Sequence, residues 1–163
     1  MDGLERNHKL KELNLSGNSL RVPSAKRISE VLMAENIKLE SLILSNNFLG
    51  DQGGNLIARA LALNQRMRHI DLFDNYLNDE SAKQLAHCLS RNRSLKHINL
   101  GFNACNHRYV TQVAQLAKKN LERERRNLIP RSVKEIIRLS SKAELRQGLE
   151  EKIKEVEAKK TIA

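Results

Sequence analysis

The chain has 163 residues, 29 Lys+Arg against 19 Asp+Glu for a formal charge of +10, and a hydrophobic fraction of 40%. That fraction excludes a disordered chain, two Cys are too few for a disulfide scaffold, and no apolar run nears the ~20 residues that span a bilayer. MDGLERNHKL lacks the apolar stretch of a signal peptide, so the expected setting is intracellular, in the cytoplasm. The 25 Leu and 16 Asn, beside five aromatics, raise the question of a fixed period.

In chain order, residues 1–9 read as the tail of a repeat helix whose strand is missing. Leu4 precedes Asn7 by three, as Leu61 precedes Asn64. A solenoid needs a polar cap at its ends, so this start suggests a piece of a longer array. Leu10, Leu13, Leu15, Asn18 and Leu20 then spell LxxLxLxxNxL. The string returns as Leu39, Leu42, Leu44, Asn47, Leu49, as Met67, Ile70, Leu72, Asn75, Leu77, and as Leu95, Ile98, Leu100, Asn103, Cys105. The offsets are 29, 28 and 28 residues. Each alternating Leu-x-Leu predicts a short strand with one face inward. The Asn is predicted buried at the following turn, where its amide bonds backbone groups that have left the ladder. Between the strings, Pro23 and Ser24 start a helix with Ile28 and Leu32 on one face. Later copies pair Ile57 with Leu61, Leu85 with Leu89, and Val113 with Ala117.

A second Asn recurs at 7, 36, 64, 92 and 120. Past it the pattern stops, because Arg123 and Arg126 stand where Leu is required. The last repeat helix is predicted to run to about residue 127, with Pro130 breaking it. Ser132-x-x-Glu135 and Ser141-x-x-Glu144 read as capping boxes opening two more helices. Leu145, Leu149, Ile153 and Val156 share one face of the second.

LxxLxLxxNxL followed by a helix, at this period, resembles the ribonuclease-inhibitor-like class of leucine-rich repeat proteins. SNNFLGDQGGNLIARALALN (45–64) is the closest stretch, and the resemblance covers about residues 1–120. The expected fold is an α/β solenoid of right-handed βα repeats, a partial repeat over 1–9 and then four repeats. Residues 121–163 follow as a helical, basic cap or interaction arm. The resemblance implies a curved surface that binds another protein, as in ribonuclease inhibitor or the actin-capping end of tropomodulin.

On that surface the residues between the strand leucines point to the concave side. They are Glu12, Asn14, Ser41, Ile43, His69, Asp71, Phe73, His97 and Asn99, with Phe102 just past the last strand. Phe73 and Phe102 among His and Asp form an aromatic anchor with a polar surround, the composition of a binding hot spot. His69, His97 and Asp71 fall short of the four ligands of a closed zinc site, so no metal is expected. There is no P-loop, HExxH or CxxC, and hence no expected enzyme activity, cofactor or small-molecule substrate. Charge is uneven: residues 107–163 hold seven of the ten net positive charges. Lys118, Lys119, Arg123, Arg125, Arg126, Arg131 and Arg138 form a basic stretch that would attract phosphates. Single-strand binders add aromatic platforms, and Tyr109 is the only aromatic beyond 102. The chain therefore reads first as a protein–protein interaction module. The alternatives are a nucleic-acid or ribonucleoprotein-associated module, and a regulatory or cytoskeletal, tropomodulin-like binding fragment.

Overall fold

The computed structural model describes residues 7–34, 38–139, 148–155 and 157. Strands β1 (Glu12–Asn14), β2 (Ser41–Ile43), β3 (His69–Asp71) and β4 (His97–Asn99) alternate with helices α1 (Val22–Met33), α2 (Gly50–Leu63), α3 (Asp79–Leu89) and α4 (His107–Leu128). Helix α5 (Arg131–Leu139) follows, and residues 148–155 are helical. The strands form one parallel sheet in the order β1-β2-β3-β4. Leu13 pairs with Leu42, Leu42 with Ile70, and Ile70 with Ile98, so the sequence offsets are the register of the sheet. The expected α/β repeat solenoid is the observed architecture. The chain divides into two compact units, Met1–Leu121 and Glu122–Ala163.

The core lies between the sheet and its helices. Leu42 and Ile70 of the middle strands and Leu44 and Leu72 just past them are fully enclosed, together with Ile28, Leu32, Ile57, Leu61, Leu85 and Leu89 of the helices. Each such side chain contributes about 1.5–3 kcal/mol relative to its exposed state. In the outer strands Leu13 and Ile98 are only half-buried. Helix α2 packs on α1 and on α3. Close approach requires Gly54, where a Cβ would stand 2.7 Å from Leu77 Cδ2.

Two ladders of Asn tie the rungs together. Asn47 Nδ2 donates to the carbonyls of Leu15, Leu44 and Ser45, while its Oδ1 accepts from Asn18 and Leu20 N–H at 3.0 and 2.9 Å. Asn103 repeats this two junctions on, reaching Leu72, Leu100 and Gly101 and accepting from Asn75 and Leu77 N–H. The second ladder runs at the other end of the strands. Asn64 Nδ2 donates to Leu32 O, Asn92 to Leu61 O and Asn64 O, and Asn120 to Asn92 O and Leu95 O. Buried backbone carbonyls that the sheet leaves over are satisfied this way.

Several local expectations change. Asn18 is exposed and Asn103 half-buried, where Asn47 and Asn75 are buried. Cys105 is half-buried, where its column partners Leu49 and Leu77 are fully buried. Ser132 lies inside α5, whose first turn is anchored by the Pro130 carbonyl accepting from Val133 and Lys134 N–H, so it does not cap that helix. Helix α4 ends at Leu128, two residues before Pro130. Leu4, Asn36, the Ser141–Glu144 box, Leu145 and Val156 lie outside the described residues.

Candidate interaction surface

Each strand has three residues, and the middle one faces the core, so the first and third face outward. The register stacks them in two columns: Glu12, Ser41, His69, His97, and Asn14, Ile43, Asp71, Asn99. The His69 and His97 rings meet edge-on at 6.1 Å, and Ser41 Oγ lies 3.5 Å from His69 Nδ1. The second column also has a structural task. Asn14, Asp71 and Asn99 Oδ1 accept the N–H of Ser16, Phe73 and Gly101, two residues on, at 2.9–3.0 Å. Such bonds turn the chain out of the strand. Ile43 has no oxygen to do so.

The aromatic residues gather where the strands exit. Phe73 and Phe102 lie with ring centroids 4.8 Å apart, tilted by 38°. Gly101 makes the room, since a Cβ there would sit 3.1 Å from Phe73 Cδ2. Phe102 is 83% exposed. Its backbone is left-handed, with φ +54°, as is that of Gly17, Asn46 and Asp74 at the same place in the other rungs. Gly, Asn and Asp tolerate that conformation, but a bulky side chain does so at a cost. Phe102 thus carries strain while burying little of its ring.

A second pair was missed by sequence reasoning. Phe48 and Tyr76 stack at 5.5 Å and 15°, and the Arg21 guanidinium lies 5.6 Å from the Phe48 centroid. Both are largely exposed, and both follow the column Asn directly. Their shared repeat position was the available signal. Around them the turn of the second complete repeat is rebuilt. In the first and third repeats Ser19 and Tyr76 take positive φ, turning two N–H groups onto the next column Asn. In the second, Gly50 takes the positive φ instead, Asn47 N–H bonds Asp74 O, and Gly50 N–H bonds Asn75 O. Among the described residues nothing then donates to the buried Asn75 Oδ1.

Charge is sorted between the two ends of the strands. Lys9, Lys11, Lys38, Arg66, Arg68 and Lys96 stand at or just before the strand starts, with Glu40 3.8 Å from Lys11 and 3.3 Å from Arg68. These pairs are solvent-exposed, and such pairs are worth about 0–1 kcal/mol. Asp51, Asp74, Asp79 and Glu80 stand at the exit side. Asp51 accepts from Asn78 N–H and Ser81 Oγ, and Asp79 from Asn106 N–H, linking each helix start to the next repeat. The Cys105 thiol donates to Asn78 O at 3.2 Å. Burial, reinforced by Asp79 and Asp51, raises its pKa from 9.0 to about 11. Burial also raises Cys88, against the pull of Arg59 and Arg91. Neither environment favours the nucleophilic thiolate. Among the described residues, no three His, Cys, Asp or Glu side chains converge as metal ligands would.

The basic stretch falls across the division of the chain. Lys118 and Lys119 belong to the first unit, and Arg123, Arg125, Arg126 and Arg131 to the second. These six are exposed, and the Arg138 side chain lies outside the described residues.

A family model for the leucine-rich repeat matches residues 6–29 and 35–58. Actin-binding site 2 of leiomodin-1 superposes with a TM-score of 0.70 at 22% identity, over 77% of this chain and 72% of that one. The chain has the leucine-rich repeat fold. The tropomodulin C-terminal domain of Caenorhabditis elegans superposes with a TM-score of 0.63 at 16% identity, over 76% of this chain and 92% of that one. No curated protein matches the chain. In this repeat fold the third and fourth repeats, beyond the matched residues, keep the same register. Among the described residues, no helix is long and apolar enough to cross a membrane.

Proposed function

We propose that this repeat protein is an intracellular, non-catalytic module that binds another protein through its open sheet face and the aromatic exit edge beside it. The contact residues are His69, Asp71, Phe73, His97 and Phe102, extended by Phe48 and Tyr76. The strained, exposed Phe102 carries the proposal. Backbone strain that burial does not offset concentrates at functional sites, and exposed aromatic pairs make hot spots. The likeness to leiomodin-1 actin-binding site 2 makes actin the first partner to test.

The test is capture of partners, actin included, on immobilised wild type and Phe73→Ala at low and high salt. Retention by wild type at high salt, with loss of most affinity in the variant, is expected. Equal recovery by both would overturn the proposal. Binding that collapses with salt and with charge reversal at Arg125 and Arg126 would instead establish a phosphate-directed, nucleic-acid mode.

A further inference from the structure

The aromatic exit edge differs from the rest of the molecule in charge. From the end of the strand through the first turn of the next helix, the second and third repeats carry Asp51, Asp74, Asp79 and Glu80 and no basic residue, in a chain of net charge +10. Three of these carboxylates are engaged: Asp51 with Asn78 N–H and Ser81 Oγ, Asp79 with Asn106 N–H, and Glu80 with Lys83 at 4.0 Å. Among the described residues nothing donates to the Asp74 carboxylate. Asp74 is also the neighbour of the strained ring. Its N–H donates to Gly101 O at 3.0 Å, and its φ of +49° matches the +54° of Phe102 one rung on. Equivalent backbones on neighbouring rungs lie ~4.8 Å apart, so the carboxylate and the Phe102 ring leave the edge side by side. Phe73, next to Asp74 in sequence, has its ring centroid 4.8 Å from that of Phe102. The edge already holds one arginine, the Arg21 guanidinium lying 5.6 Å from the Phe48 centroid. Gly50, Asn78 and Asn106 follow in the column of Arg21, so the repeat supplies no second one.

We infer that the Phe73–Phe102 pair and Asp74 together take an arginine side chain from a basic segment of the partner protein. The inference rests on the proposal that this edge is a binding face, and it names the chemistry that face recognises. A guanidinium is planar, stacks on aromatic faces, offers paired N–H donors to a carboxylate and is more weakly hydrated than an ammonium. It therefore uses the exposed ring and the free carboxylate at once. The stacked, apolar part of the contact survives high salt, while the ionic part is screened.

The probe is N-acetyl-arginine amide titrated into the full chain, with its neutral analogue N-acetyl-citrulline amide as the control. NMR of the Phe73 and Phe102 ring protons reads the binding. Saturable shifts of both rings are expected with arginine, and citrulline should bind about fivefold or more weakly. Asp74→Asn should cost arginine about two- to fivefold and leave citrulline unchanged. Asn suits the left-handed backbone there, as Asn46 does one rung back. Equal binding of the two probes, shifts indifferent to Asp74→Asn, or no shift at either ring overturns the arginine occupant. Partner capture separates that outcome from failure of the binding face. If Phe73→Ala loses partners that Asp74→Asn retains in full, the face stands and the arginine contact is wrong. If Phe73→Ala retains them too, both are wrong.

Discussion

The inward and outward columns of the solenoid are built on the same backbone yet follow opposite rules. Inward, Leu or Ile and a buried Asn recur at nearly every rung, because each junction must enclose the same volume and satisfy the same carbonyls. Outward, neighbours on one column read Glu12, Ser41, His69 and His97, and the left-handed position runs Gly17, Asn46, Asp74 and Phe102. What repeats holds the fold; the proposed function assigns recognition to what fails to repeat. Phe102 is the sharpest instance, since it replaces a residue type suited to its backbone with one that is not.

The comparison breaks most visibly at the inward columns. Leu72→Ala should cost about 2–5 kcal/mol in chemical unfolding, as a cavity opens in an enclosed site. Asn47→Ala should cost about 1–3 kcal/mol by orphaning buried carbonyls. Asn75→Ala should cost less than Asn47→Ala, because Asn75 Oδ1 makes no bond to lose. Equal costs would show that the turn at Phe48–Gly50 is not rebuilt as described. Outward, Tyr76→Gly should stay within about 0.5 kcal/mol of wild type, because relief of the left-handed backbone offsets the lost stacking. At neutral pH the least visible effect belongs to Cys105. Its thiol holds its proton more tightly folded than unfolded, so its contribution is fully present below pH 9.0 and is lost as pH rises toward about 11. Urea midpoints across that window should decline, and Cys105→Ala should flatten the decline.

The fold was legible because it is written four times. A period of 28–29 residues fixed strand, helix and register together, and Asn47 and Asn103 do what an Asn at such a turn can do. The structure adds what repetition conceals. Asn14, Asp71 and Asn99 look like free surface in sequence but turn the strand exits. The Phe48–Tyr76 stack was readable in principle from shared repeat position, but the displaced turn was not. It depends on Gly50 taking the positive φ that Ser19 and Tyr76 take in other repeats, a choice among local minima that pattern does not encode. The strain at Phe102 was equally hidden, since Gly, Asn, Asp and Phe share no pattern until their backbones are compared. Ser132 misled because Pro130 anchors the first turn of α5.

The most direct measurement pairs stability with partner capture in Phe102→Asn and Phe102→Ala. Both remove the ring, but only Asn suits the left-handed backbone. If outward departures from the repeat serve recognition, both variants lose the partners that wild type retains. The Asn variant then melts no lower than wild type and is about 1 kcal/mol more stable than the Ala variant. Partners retained by either variant, or an Asn variant as unstable as the Ala one, would contradict it.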